Sequence, residues 1–180
     1  MTPNEPIVFS QTVDGLLRAL GTRLDDDAKD HLRDLGLNVR ARLDPAYTLA
    51  VWTPVMRYAS TLVAPGRPPP EQMFELGRRF IEGYAETIVG RAMLTALNVL
   101  GPRRTLERMS RNFRSGNNYT ETKLEALGPS DFTLWFNQVK EPEFYRGMLS
   151  AGVDRSGAKV VTVKTLSHDA TGATFSVKWT

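Results

Sequence analysis

The chain has 180 residues, of which 41% are apolar and 24% charged, a balance that suits an ordinary folding chain long enough to bury a core of its own. Cysteine is absent and histidine occurs twice, which excludes a disulfide framework, thiol catalysis, iron–sulfur ligation and cysteine-based zinc sites. Lys plus Arg is 23 against 20 acids, a net charge of +3, and the excess is local: between Gly101 and Ser115 stand five arginines and a single acid, Glu107.

The first ten residues carry Glu5 and no basic segment, and no apolar run reaches the length of a spanning helix. No membrane span is expected, and a cytoplasmic location follows as the expectation. Val13, Leu16, Leu17 and Leu20 mark a short amphipathic helix ended by Gly21. A weaker one runs from Asp25 to Leu35, with acids in its first turn and Gly36 as its stop. Asp44-Pro45 predicts the opening of a third helix through Trp52, Val55, Met56 and Leu62, which Pro54 should kink or interrupt. The segment Ala64–Pro70 holds four prolines and a glycine and reads as an extended linker.

A fourth helix carries Met73, Leu76, Phe80, Tyr84 and Ile88 on one stripe. Gly77, Gly83 and Gly90 interrupt it, which implies a close helix approach or a break near Gly90. A fifth helix, Arg91 to about Leu100, is apolar on two faces and should be buried. After Gly101-Pro102 a helix restarts, with Leu106, Met109 and Phe113 on one face and Arg104, Arg108 and Arg111 on the other.

From Tyr119 the hydrophobic period changes to that of strands. Tyr119–Leu127 and Phe132–Val139 form a hairpin across Gly128–Asp131, and a short helix from Glu141-Pro142-Glu143 ends at Gly152. Gly157–Leu166 and Ala173–Trp179 form a second pair. The order is helices, then ββαββ: an α+β fold with N-terminal helices packed on a four-stranded antiparallel sheet. The chain reads as one domain over 1–180, with a helical part over 1–63, a linker over 64–70, central helices over 71–115 and a sheet part over 116–180.

Catalytic motifs are missing. There is no phosphate-cradling glycine loop, no G-x-S-x-G elbow and no H-E-x-x-H, and His31 and His168 read as surface residues. Asp25–Asp27 and Glu141/Glu143 read as acids at helix N-termini. No catalytic residue, metal site or cofactor is expected. Arg104, Arg108, Arg111 and Arg114 read either as a solvated face or as a site for an anion or an acidic protein partner. Asn117 and Asn118, in Arg114–Tyr119, read as a tight helix-to-strand corner or as a polar loop at the mouth of the helix–sheet groove. Phe80, Tyr84 and Phe136 are the candidate lining of a pocket for a small hydrophobic or anionic ligand. Nucleic acid is not expected, because no exposed aromatics interleave with the basic segment.

Several short motifs, in order, carry a resemblance: Leu76–Tyr84, Thr87-x-x-Gly90, Leu100–Arg104, Arg111–Arg114, Asn118–Thr122, Leu134-Trp135 and Val177-x-Trp179. They resemble a paralogue-rich family of uncharacterised proteins of about this length, largely restricted to myxobacteria. The order of elements is also similar to a fold shared by vinyl-reductase-type ligand-binding domains, haem nitric-oxide sensors and TRAPP-like Golgi-tethering subunits. That resemblance implies binding of small hydrophobic ligands, of haem, or of one another. The zinc-binding cysteines of the first group and the haem-ligating histidine of the second are missing here.

The expectation is a non-enzymatic binding module, a small-molecule sensor or signalling domain. The alternative is a homodimeric interaction scaffold with no pocket. A dimer would use the second strand, with Phe132, Leu134 and Phe136 on one face and Trp135 and Val139 on the other, or the close approach offered by Gly77, Gly83 and Gly90. The N-terminal helices covering the sheet's second face within one chain is the competing arrangement.

Overall fold

The chain enters through a three-residue strand, β1 (Ile7–Phe9), that runs directly into α1 (Ser10–Leu20). A computed structural model describes residues 5–180, apart from the side chains of Leu94, Leu97, Asn98 and Ser110. Residues 1–4, part of the segment read for a leader, lie outside it. Val13, Leu16 and Leu20 of α1 are buried on one stripe, as their spacing predicts. Next comes α2 (Asp26–Asp34), capped by Asp25, whose Oδ1 accepts the Ala28 N–H at 2.8 Å. The acidic run is therefore a helix N-terminus, with its carboxylates where backbone N–H groups lack partners.

The third helix starts later than its sequence suggests. Asp44-Pro45 leads into β2 (Ala46–Thr48), antiparallel to β1 with Val8 opposite Tyr47, and α3 (Leu49–Val63) follows. The Pro45 carbonyl accepts the Ser10 N–H at 3.0 Å, which keeps this segment extended. Tertiary pairing overrides the local proline signal. Pro54 does not interrupt α3, which continues through it; the backbone bond that proline forfeits is to Ala50, at an exposed position.

The proline-rich linker is shorter than it reads, because Pro69 and Pro70 are the first residues of α4 (Pro69–Glu86). Met73, Leu76, Phe80 and Tyr84 are buried on it. Ile88, expected to extend that stripe, is 91% exposed. Thr87 turns extended (ψ 157°), and its Oγ1 accepts the Gly90 N–H at 2.9 Å, capping a new helix, α5 (Ile88–Glu107). The expected burial of Arg91–Leu100 is overturned. Val99 is 85% exposed, and among the described side chains of that stretch only Met93 and Leu100 are half-buried. The first part of α5 meets the body along α4 and α7 (Pro142–Arg155), and no outer layer among the described residues covers it. Gly101 (φ 77°, ψ 171°) breaks α5 and Pro102 restarts it, the restart the sequence predicts; α6 (Met109–Arg114) follows a second break at Arg108.

The C-terminal part has the predicted ββαββ order. It comprises β3 (Thr122–Gly128), β4 (Asp131–Asn137), α7, β5 (Thr162–His168) and β6 (Gly172–Lys178), in the antiparallel spatial order β3-β4-β6-β5. The protein is α+β, as its hydrophobic periods predict. Helix α7 passes the expected stop at Gly152, because fully buried Val153 continues its inward stripe.

Phe132, Leu134 and Phe136 pair with Val177, Phe175 and Ala173, and all six are buried on one face. Helices α6 and α7 cover that face: the rings of Phe113 and Tyr145 lie 5.2 and 5.1 Å from that of Phe136. No helix covers the other face, so the arrangement with N-terminal helices on both sides is not the one adopted. Trp135 is half-buried there, beneath the Lys123 ammonium at 5.0 Å. Val139, expected beside Trp135, is instead in the core, because Gln138 (φ 50°) turns the chain out of the strand.

Three helix glycines allow contacts inside one chain. A Cβ on Gly77 would lie 2.1 Å from the Phe144 carbonyl oxygen, and one on Gly147 would lie 2.0 Å from that of Phe74. A Cβ on Gly83 would lie 2.4 Å from the Gly15 carbonyl oxygen. These residues set the α4–α7 and α1–α4 crossings and are not free to approach a second copy.

Candidate functional site

The α4–α7 crossing splays toward α5 and α6, and a cavity of about 110 Å³, measured as room for the centre of a water molecule, lies in the gap. Helical spacing explains its walls. Phe80 and Ile81 sit one turn before Tyr84 on α4, and Phe144, Tyr145, Met148 and Leu149 form two adjacent rows on α7. Trp52 of α3 closes a third side, while Met93, Met109 and Phe113 of α5 and α6 close the fourth. None of the lining residues carries a carboxylate, an ammonium, a guanidinium or an imidazole. The rings interlock: Phe80 lies 5.4 Å from Phe144, and Phe113 stacks on Tyr145 at 6.0 Å.

The polar groups of the wall are the hydroxyls of Thr12, Tyr84, Thr105, Tyr119 and Tyr145 and the amides of Asn112 and Asn117. Burial pushes the Tyr145 phenol above its usual range, and burial together with the neighbouring Tyr145 pushes Tyr119 up strongly. Both stay protonated and act as hydrogen-bond donors. Beside them the buried Thr120 hydroxyl, like that of Tyr119, interacts with the Tyr145 phenol. An apolar cavity whose edge carries a few convergent hydroxyls is the usual form of a small-molecule site.

The sequence-predicted residues divide into three groups. Phe80 and Tyr84 line the cavity, whereas Phe136 stands one layer behind, against Phe113 and Tyr145. Arg104, Arg108, Arg111 and Arg114 are all exposed, and none has an ion pair among the described residues. Arg103, in contrast, bonds Glu107 at 2.9 Å. The break at Arg108 (φ −98°, ψ 4°) means that the four do not share one straight helix.

Asn117 Oδ1 accepts the N–H groups of Tyr119 and Thr120, at 3.1 and 2.8 Å, and the residue is buried at the cavity wall. Asn118 is exposed; its Oδ1 accepts the Ile7 N–H at 2.8 Å and its Nδ2 donates to the Glu5 carbonyl at 3.0 Å. The asparagine pair thus ties the corner to β1. His31 packs on Tyr58 with ring centroids 4.0 Å apart, and His168 Nε2 bonds the Val139 carbonyl at 3.0 Å; both are exposed and neither lines the cavity. Tyr119, Phe144, Tyr145, Trp52 and the three methionines carry no site role in the sequence reading. The hydroxyls of Tyr119 and Tyr145 were the available signal, since a buried phenol needs a partner.

A family profile described as a protein of unknown function, DUF2378, matches residues 6–180. The chain belongs to this family. No curated protein sequence matches it significantly. Among solved structures it is similar to a doubly substituted Tt H-NOX, with TM-score 0.69, 12% identity, and coverage of 94% of this chain and 93% of that one. An oxygen-binding H-NOX domain related to soluble guanylate cyclases, in its oxygen complex, matches with TM-score 0.67 and 14% identity over 93% of this chain and 92% of that one. An Fe(II) unliganded H-NOX protein from K. algicida matches with TM-score 0.62 and 9% identity over 92% and 95%. The fold is that of H-NOX domains.

The similar structures include H-NOX proteins with distorted haem, so the cavity must be tested for that group. Its residues do not fit. Haem iron takes an axial histidine, thiolate, tyrosinate or methionine–histidine pair. The cavity has no histidine or cysteine, and the upward shift of Tyr119 and Tyr145 opposes the phenolate. No lining cation would pair with the propionates.

Proposed function

We propose that this protein is a non-enzymatic binding module of the cytoplasm that senses a small apolar ligand in the cavity between α4, α7 and the α5–α6 wall. The observation that carries this reading is the lining: mainly aromatic and methionine side chains, a few hydroxyl and amide groups, and no ionic group. Burying an ion among such residues is costly, so the part of the ligand inside is uncharged. Methionines let the wall adapt to an irregular ligand shape. The H-NOX-like fold supports a sensor role by analogy.

Arg104, Arg108, Arg111 and Arg114 are the proposed contact for an acidic partner that reads the ligand state. They stand unpaired on the outside of the segment whose inner side supplies Met109 and Phe113 to the cavity. Asn117 and Asn118 hold the adjoining corner in place. Native mass spectrometry of the protein purified from its own host tests the ligand reading. A co-purifying small molecule, lost from a Phe80→Trp/Met148→Trp variant that fills the cavity, is the expected result. A wild-type protein that carries no adduct and binds no apolar probe would overturn it.

A further inference from the structure

A second, smaller cavity of about 30 Å³ lies against the first and shares four wall residues with it: Trp52, Tyr119, Phe144 and Tyr145. Its own remaining lining is different in kind. It includes Gln138, Lys140 and Glu141, at the chain segment between β4 and α7. Glu141 is occupied, because Arg57 Nε donates to its Oε1 at 2.6 Å. Lys140 has no ion pair among the described residues, is exposed, and is the one cation in the lining of either cavity. Gln138 is held in the left-handed region at φ 50° and belongs to the same lining. A non-glycine residue in that region is uncommon and is retained where its placement is over-determined.

The geometry points to a carboxylate subsite at Lys140, so that the ligand is a single-chain amphiphilic acid: its apolar chain fills the main cavity past Trp52 and Tyr145, and its carboxylate stays in the smaller cavity with the Lys140 ammonium and the Gln138 amide. This deepens the ligand reading above and rests on it. The division matches solvation. The charged end keeps a cation and access to water, and the chain enters the region that has no ion to offer. The Arg57–Glu141 pair removes the one carboxylate that would otherwise compete for Lys140.

The test compares octanoate with octan-1-ol at pH about 8, where the acid is ionised. Binding to the full chain is followed by calorimetry and by tryptophan fluorescence, to which Trp52 in the shared wall responds. Octanoate is expected to bind about tenfold tighter than the alcohol, a difference of about 1.4 kcal/mol. Lys140→Gln should remove that preference, Lys140→Arg should keep it, and none of these changes should alter octan-1-ol binding. Arg57→Gln, which releases Glu141, should weaken octanoate alone. Equal binding of both probes to the wild type, or a preference that survives Lys140→Gln, overturns the carboxylate subsite while leaving the cavity reading in place. Failure of both probes to bind overturns both.

Discussion

Gly77 and Gly147 are the positions where one methyl group does most damage to the frame that shapes the cavity. An alanine Cβ at Gly77 would sit 2.1 Å from the Phe144 carbonyl oxygen and 2.9 Å from the Met148 backbone nitrogen. A relaxed carbon–oxygen contact is about 3.3–3.6 Å. The obstacle is helix backbone, so α4 and α7 must separate by about 1 Å, and the buried faces of Leu76, Phe80, Phe144 and Met148 lose contact together. Overpacking of this kind costs about 1–3 kcal/mol, more where backbone must move, while alanine's helix propensity returns about 1 kcal/mol. A net loss of about 2 kcal/mol is expected for Gly77→Ala, a fall in Tm of about 4–8 °C for a chain of this size. Gly147→Ala should match it, and the double variant should lose less than the sum, because one separation of the helices relieves both clashes. Gly152→Ala is the control on the same helix: its Cβ meets nothing within 4 Å, so propensity alone acts and stability should hold or rise. Thermal unfolding followed by circular dichroism measures all four. A Gly77→Ala protein as stable as Gly152→Ala would refute the close crossing.

Three further outcomes follow from the exposed arginines, the buried phenols and the uncovered sheet face. Replacing Arg104 and Arg108 by Glu should leave Tm within about 2 °C, because exposed unpaired charges contribute little to stability, yet abolish capture of an acidic partner; a collapse of the fold would place these arginines inside an ion network. Burial raises the Tyr145 and Tyr119 phenols, so their contribution to stability is fully present below the usual tyrosine value of about 10 and is lost as pH rises from there toward the folded values. The urea midpoint should therefore fall between pH about 9 and about 11, and fall less steeply in Tyr145→Phe; parallel curves would show that these phenols do not drive the loss. The uncovered sheet face, with Trp135 at its centre, is the surface on which a second copy would pair, so light scattering at micromolar concentration should give the mass of a dimer; a concentration-independent mass near that of one chain, 20.1 kDa, sinks it.

Much of the architecture was legible because it rests on period and on local chemistry. Ala173, Phe175 and Val177 alternate, and the structure buries all three. Pro142 and the acids around it begin α7, and Gly77 and Gly83 do mark close crossings. What was not legible depends on distant partners. Asp44-Pro45 carries a sound helix-start signal, but β1 lies more than thirty residues earlier and claims Ala46–Thr48 for its own pairing. The apolar character of Arg91–Leu100 is real, but burial needs a layer to pack against, and the chain supplies none outside α5. Within the site, Phe80 and Tyr84 follow from the α4 stripe, whereas Trp52 joins them only because α3 folds back across the gap.

The comparison with H-NOX domains separates what the fold conserves from what the site can change. At 12% identity the chain keeps the arrangement over 94% of its length, and the frame explains how. Helix α4 is held against α7 and α1 by close crossings at Gly77, Gly147 and Gly83, where a Cβ would meet helix backbone, and at Gly15, where it would meet the Tyr84 side chain that also lines the cavity. The lining comes from side chains of α4 and α7 beside those crossings and from α5–α6, whose first part adds little to the core. Substitutions of lining side chains change which group can be held and leave the backbone contacts at Gly77, Gly147 and Gly83 in place. A fold that holds haem in other proteins therefore places no haem requirement on this chain, whose cavity wall has no histidine, cysteine or cation and whose smaller neighbouring cavity has Lys140.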